Sequence, residues 1–266
     1  MSVYKNAKHI IFVVVLFMSV TTVWSQTEFF NSFDDTKIAY TDQGKGDVVL
    51  LIHGFINTKE SWEDASLKAE LLAEGFRVVA LDLRGNGESD KPQTEEAYSF
   101  DAEVMDIMFL MQHLRLKKYM AVGYSRGSIV LSKLLLKDKR VKKAVLGGMG
   151  IDFTNYRWPR KLKFMQAFNG KVTDETKEAV EYAKSVHADF RSLYLQQRFQ
   201  PYTKKSHLAY VQAKVLVVAG NEDLDNGSPE KLHEAIPKSE FVLVDGNHNE
   251  TYKTKAFSEA VVSFLD

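Results

Sequence analysis

The chain has no cysteine among its 266 residues. That excludes disulfides, thiolate metal sites and a lipid-modified cysteine at a processing site. Charge of one sign is lacking too: 35 Lys and Arg balance 35 Asp and Glu. Without a basic stripe to track a phosphate backbone, nucleic acid is not an expected partner. The seven histidines are scattered and no H-E-x-x-H occurs, so neither a metal nor another cofactor is expected. Gly147-Gly148-Met149-Gly150 does not form G-x-G-x-x-G and gives no dinucleotide fingerprint. No internal repeat or low-complexity tract stands out. Long apolar runs are scarce: Ile10 to Val20 is shorter than the ~20 residues a spanning helix needs.

That run follows Lys5, Lys8 and His9 and leads to Val23-Trp24-Ser25 before Gln26. A short positive region, a short apolar run and small residues at the cleavage positions resemble a secretory signal peptide over residues 1–25. The chain is therefore expected to be exported, periplasmic or extracellular. The alternative is a membrane anchor, if the segment is not cleaved.

The rest of the chain alternates between strand-like and helical text, an α/β pattern. Strand-like runs fall at Val48–Ile52, Arg77–Leu83, Tyr119–Gly123, Lys143–Gly147, Val215–Ala219 and Phe241–Val244. Helical text includes Ala102–Leu114 and Ser228–Ala235. The segment 151–213 is far longer than an ordinary strand-to-strand connection. It reads as helical, with Asp174–Gln197 the best candidate.

Gly123-Tyr124-Ser125-Arg126-Gly127 sits between a strand-like run and a helical one. Strand, sharp turn and helix around G-x-S-x-G form a nucleophile elbow, which exposes a serine hydroxyl at the edge of a sheet. Gly123 and Gly127 are needed because a side chain at either would strike the neighbouring strand or helix. Other polar groups follow other strands. Val48–Ile52 ends in His53-Gly54-Phe55, Val215–Ala219 in Gly220-Asn221-Glu222-Asp223, and Phe241–Val244 in Asp245-Gly246-Asn247-His248. All lie past the carboxyl ends of expected parallel strands, where sites of open α/β sheets form. The order is Ser, then acid, then His. Asp225 and Glu222 rival Asp223. Of the histidines, only His248 sits in a glycine-asparagine turn after the last strand; His9 is in the leader, and His113, His187, His207 and His233 lie in helical or linker text.

With these motifs on the page, the chain resembles the α/β-hydrolase fold superfamily of serine esterases, lipases and C–C hydrolases, from about Phe33 to the C-terminus. Thr36-Lys37-Ile38-Ala39-Tyr40 and Asp82-Leu83-Arg84-Gly85-Asn86-Gly87-Glu88-Ser89-Asp90 are similar to its first strand and its D-x-R-G-x-G-x-S loop. The resemblance implies a mostly parallel central sheet flanked by helices. The core would comprise residues 26–150 and 214–266, with a small helical cap at 151–213. It implies Ser125 as nucleophile, His248 as base and Asp223, three residues after the strand-end glycine, as the orienting acid. The backbone N–H groups of Phe55 and Arg126 would form the oxyanion hole, and His53 and Gly54 would shape its turn. Arg84 and Asp90 would hold their loop. Haloalkane dehalogenases and epoxide hydrolases of this fold carry aspartate at the elbow, so serine argues against both.

The implied activity is hydrolysis of a small or medium acyl substrate, most simply a carboxylic ester. A C–C hydrolase with the same triad and a weakly catalytic ligand-binding member are the alternatives, and perhydrolase activity is compatible. The aromatics of 151–213, among them Phe164, Phe168 and Tyr182, are expected to pack that segment rather than line a pocket. Its cations, Arg157, Arg160, Lys161 and Lys163, are expected on a solvated face, with a preference for an anionic substrate as the alternative.

Overall fold

A strand that is apolar at every position is covered on both faces, and Val48–Ile52 in the middle of this chain's sheet is one. The structure, a computed structural model, describes residues 26–223 and 225–266. The leader expected over residues 1–25 lies outside them. The strands are β1 Glu28–Asn31, β2 Lys37–Gln43, β3 Val48–Ile52, β4 Arg77–Leu81, β5 Tyr119–Tyr124, β6 Val141–Gly147, β7 Lys214–Gly220 and β8 Ser239–Val244. The helices are α1 Ser66–Ala73, α2 Ala102–His113, α3 Arg126–Lys137, α4 Pro159–Phe168, α5 Asp174–Ser185, α6 Phe190–Arg198, α7 Pro229–Glu234 and α8 Lys255–Leu265.

One sheet runs in the order β1-β2-β4-β3-β5-β6-β7-β8. β1–β2 and β2–β4 are antiparallel, and the remaining pairings are parallel. All of β3 is buried, and its side chains alternate between two cores. Val48, Leu50 and Ile52 join the α2 and α3 side, whereas Val49 and Leu51 join the α1 and α8 side. The chain goes from β3 to β4 on one side and returns to β5 on the other. That reversal opens a crevice past the ends of β3 and β5, where ligands of such sheets bind.

The segment after β6 behaves in two parts. Phe153, Trp158, Leu208 and Val211 belong to the main core. Ala167, Phe168, Val180, Ala183 and Leu193 form a separate cluster, joined by Ile56 from the loop after β3. The single helix expected over Asp174–Gln197 is two. α5 ends at Ser185, His187 takes a left-handed φ of 54°, and Asp189 caps α6 by accepting from the Ser192 N–H at 2.7 Å. A residue held left-handed stops a helix, and a capping carboxylate starts the next. β4 is also shorter than expected. Asp82 leaves the strand to accept from the backbone N–H groups of Lys59 and Glu88, at 2.7 and 2.9 Å.

Candidate active site

The turn after β5 holds a non-glycine residue at positive φ. Ser125 has φ 53° and ψ −115°, a conformation costing about 1–3 kcal/mol for a residue with a side chain. Its surroundings hold it there. The Ser125 N–H donates to the Gly147 carbonyl of β6 at 2.8 Å. The Ser128 hydroxyl lies 2.8 Å from the carbonyls of both Gly123 and Gly147. A Cβ on Gly123 would lie 2.4 Å from the Gly127 carbonyl oxygen, and one on Gly127 would lie 2.1 Å from that of Ile52. Both glycines are therefore demanded by close backbone approach.

Three strand ends converge on the serine. His248 Nε2 is 2.9 Å from Ser125 Oγ, and His248 Nδ1 is 2.7 Å from Asp223 Oδ2. A hydroxyl on one nitrogen and a carboxylate on the other define the tautomer: Nδ1–H donates to Asp223 and Nε2 accepts from Ser125. Asp223 is buried and His248 half-buried. Asp225, the rival acid, is exposed and pairs with Arg160 at 3.3 Å. His113 stacks on Phe30, and His233 bonds Ser239.

Two further positioning groups carry no motif. The Asn226 amide donates to Asp223 Oδ1 at 3.3 Å, leaving Oδ2 for the histidine. The Tyr124 hydroxyl donates to the His248 carbonyl at 2.7 Å, tying the histidine's loop to the elbow. Burial pushes the Tyr124 phenol well above its ordinary pKa, so it stays a donor. The only sequence signals are Asn226's spacing of three from Asp223 and an aromatic at the elbow's first variable position.

Neither the Phe55 N–H nor the Arg126 N–H has an acceptor within the protein, among the described residues. Arg126 opens α3, whose dipole adds partial positive charge at that end. Gly54 runs beside the elbow: a Cβ there would lie 3.5 Å from Ser125 Cβ, an ordinary packing distance. His53 is fully buried. It accepts from the Leu83 N–H at Nε2, 3.0 Å, and donates from Nδ1 to the Gly54 carbonyl, 2.7 Å. Desolvation lowers its pKa and keeps it neutral. Arg84 binds both oxygens of Asp106, at 2.7 and 2.5 Å, and Asp90 accepts from the Lys37 N–H at 2.8 Å, so both hold loops.

A cavity of about 520 Å³ opens beside Ser125 and His248, within the size range of small-molecule sites. Phe55, in the cavity lining, meets Phe164 and the packed Phe168 edge-on, with centroids 5.9 and 5.5 Å apart. The aromatics of the insert divide. Phe153 and Phe168 are packed away, whereas Phe164, Tyr182 and buried Trp158 line the cavity. The cations divide too. Arg157 and Lys163 are exposed, with Lys163 paired to Glu175. Lys161, expected on a solvated face, is instead buried in the cavity wall, because α4 turns that position inward. Desolvation, with the Arg126 charge adding to it, lowers its pKa.

The carboxylates of Glu60, Asp82 and Glu88 lie close enough together to hold a cation. The Lys59 ammonium already sits among them, at 2.6, 3.1 and 2.6 Å. Among the described residues no helix is long and apolar enough to cross a membrane.

Residues 47–179 match the family model described as alpha/beta hydrolase fold. A putative non-heme chloroperoxidase of Synechocystis sp. is 40% identical over 111 residues, which cover 41% of this chain and 39% of that protein. Epoxide hydrolase 4 of Mus musculus is 37% identical over 95 residues, which cover 35% of this chain and 25% of that protein. The chain thus aligns with well under half the length of these relatives. Among solved structures, an esterase from Exiguobacterium antarcticum has a TM-score of 0.72 at 23% identity, covering 90% of this chain and 99% of its own. A bromoperoxidase from Bacillus anthracis has a TM-score of 0.70 at 23% identity, with the same coverage. At such identities the likeness is one of fold. With the family match spanning half of the chain, and with the sheet order and elbow described above, the protein belongs to the alpha/beta hydrolase fold family.

Proposed function

We propose that the protein is a serine hydrolase that cleaves small or medium carboxylic esters through an acyl-enzyme on Ser125. The observation that carries this reading is the unbroken hydrogen-bonded chain from Ser125 Oγ through His248 to Asp223, opening on a cavity. Ser125 Oγ attacks the ester carbonyl carbon while His248 Nε2 takes its proton. Asp223 holds the histidine tautomer and stabilises the imidazolium. The free N–H groups of Phe55 and Arg126 receive the oxyanion, each worth about 2–4 kcal/mol in such sites. The carbonyl re-forms, the bond to the alcohol oxygen breaks, and His248 protonates that oxygen. Water then repeats the attack on the acyl-enzyme, releasing the acid and restoring Ser125.

The test is intact mass after a fluorophosphonate probe, on wild type and Ser125→Ala, with p-nitrophenyl acetate and butyrate turnover in parallel. One adduct on wild type, none on the variant and a matching loss of turnover support the reading. No adduct on folded wild type sinks it. The leader at residues 1–25 adds the proposal of an exported enzyme. Its check is the N-terminal sequence of the protein recovered outside the cytoplasm, which should begin near Gln26.

A further inference from the structure

One wall of the cavity beside Ser125 carries polar groups that the hydrolytic steps leave unused. Lys161 is 7% exposed and lines the cavity. Among the described residues its ammonium makes no ion pair; its one neighbour within reach is the Tyr156 ring, 5.1 Å to the centroid. A buried ammonium without a carboxylate is costly, and proteins rarely keep one unpaired. Arg126 is 2% exposed and lines the same cavity. Its Nε and Nη2 are spent on Glu103, but its Nη1 is buried and has no partner. Gln197 and Gln200, 6% and 8% exposed, also line it, and neither side-chain amide hydrogen-bonds within the described protein.

The carboxylates of this cavity do not answer that charge. Glu175, Glu178 and Asp225 are exposed lining groups. Glu175 is engaged by Lys163 and Asp225 by Arg160. Glu103 balances Arg126, Asp225 pairs with Arg160 and Glu250 with Lys253, so Lys161 is the cation of this lining that makes no ion pair among the described residues. One charge and planar donors suit a single carboxylate better than a phosphate dianion.

We propose that Lys161, Arg126, Gln197 and Gln200 form a carboxylate subsite, so that the substrate is an ester bearing one carboxylate apart from its scissile bond. The word ester rests on the serine hydrolase reading above; the subsite itself does not. Lys161 pairs with the carboxylate, the two amides complete its hydrogen bonds, and the Arg126 guanidinium behind them adds its charge at longer range. The aromatic lining residues Phe164 and Trp158 take the apolar part.

Calorimetry separates the two ideas. The Ser125→Ala protein, which cannot turn over an ester, is titrated at pH 7 with monomethyl glutarate and with dimethyl glutarate. The monoacid should bind about tenfold to a hundredfold more tightly, the usual span for a charge-assisted pair. Lys161→Met in the same background should abolish the difference, and Lys161→Arg should restore most of it. If Lys161→Met does not fold, Gln200→Leu makes the same comparison with a smaller loss. Equal binding of the two compounds, no measurable binding of the monoacid, or a preference that survives Lys161→Met overturns the subsite. Wild-type turnover of mono-p-nitrophenyl glutarate and p-nitrophenyl butyrate runs beside it. Calorimetric preference without turnover of either would overturn the hydrolase reading and leave the subsite standing.

Discussion

Glu103 on α2 accepts two hydrogen bonds from Arg126, at 3.0 and 2.6 Å, one residue past the elbow serine. Both side chains are almost fully buried. Arg126 also donates to the Gln196 carbonyl of α6 at 2.8 Å. One ion pair therefore ties a core helix, the elbow helix and the helical insert together. Removing one partner strands the other charge, which costs about 3–5 kcal/mol. Glu103→Ala is expected to lose that much in urea unfolding, and Glu103→Leu with Arg126→Met to lose much less. Equal losses in the two proteins would mean that the pair acts by shape rather than charge.

Asn226 steers Asp223 without touching the serine. Its amide fixes one carboxylate oxygen at 3.3 Å while the other meets His248 at 2.7 Å. Asn226→Ala should lower kcat on p-nitrophenyl butyrate by about tenfold, the low end for a hydrogen bond to a charged group, and change KM far less. An unchanged kcat would remove Asn226 from the positioning of the triad.

The elbow has no room for a side chain behind the serine. Gly127→Ala brings a Cβ to 2.1 Å from the Ile52 carbonyl, a backbone atom of the central strand. The strand must move or the turn must open. A loss of at least about 1–3 kcal/mol is expected, with fluorophosphonate labelling falling alongside it. Gly75→Ala serves as the control. That glycine has nothing within 4 Å of the added Cβ, although its φ of 85° carries its own strain. Gly127 itself takes no left-handed φ, so its loss must come from contact, and an unchanged stability of Gly127→Ala would mean that the strand yields and the contact does not explain the requirement.

His53 makes stability depend on pH. Burial holds its folded pKa below the ordinary value of 6.5. Between those two values the unfolded chain binds a proton that the folded chain refuses. Stability therefore rises with pH through that window, and its benefit is lost as pH falls below 6.5 toward the folded value. Urea midpoints of wild type and His53→Gln, compared from pH 7 to pH 5, should differ in slope, with wild type falling more steeply. Parallel curves would mean that His53 takes up its proton without unfolding.

Much of this architecture was legible because burial on both faces leaves a plain mark in the sequence. The runs at Val48–Ile52 and Tyr119–Tyr124 are apolar throughout, and such runs have little choice but a covered parallel strand. The glycines of the elbow mark a turn that few other residues allow. Polar residues at the ends of β5, β7 and β8 marked Ser125, Asp223 and His248, which the structure brings within hydrogen-bonding distance. The break between α5 and α6 was not legible, because helix propensity changes little from Lys184 to Phe190. The left-handed turn at His187 reflects how the two helices pack.

The sequence by itself determined the runs that became β3 to β8, the elbow and the residues at those strands' ends, since these are local consequences of burial pattern and backbone sterics, whereas β1 is too short and too exposed to leave such a mark. Tertiary structure alone decided which faces of the insert turn inward. Lys161 and Lys163 are two residues apart, yet one is buried in the cavity wall and the other pairs with Glu175 in solvent. At 3.6 residues per turn, that step swings a side chain more than halfway round the helix, and only the helix's docking tells which side faces the cavity.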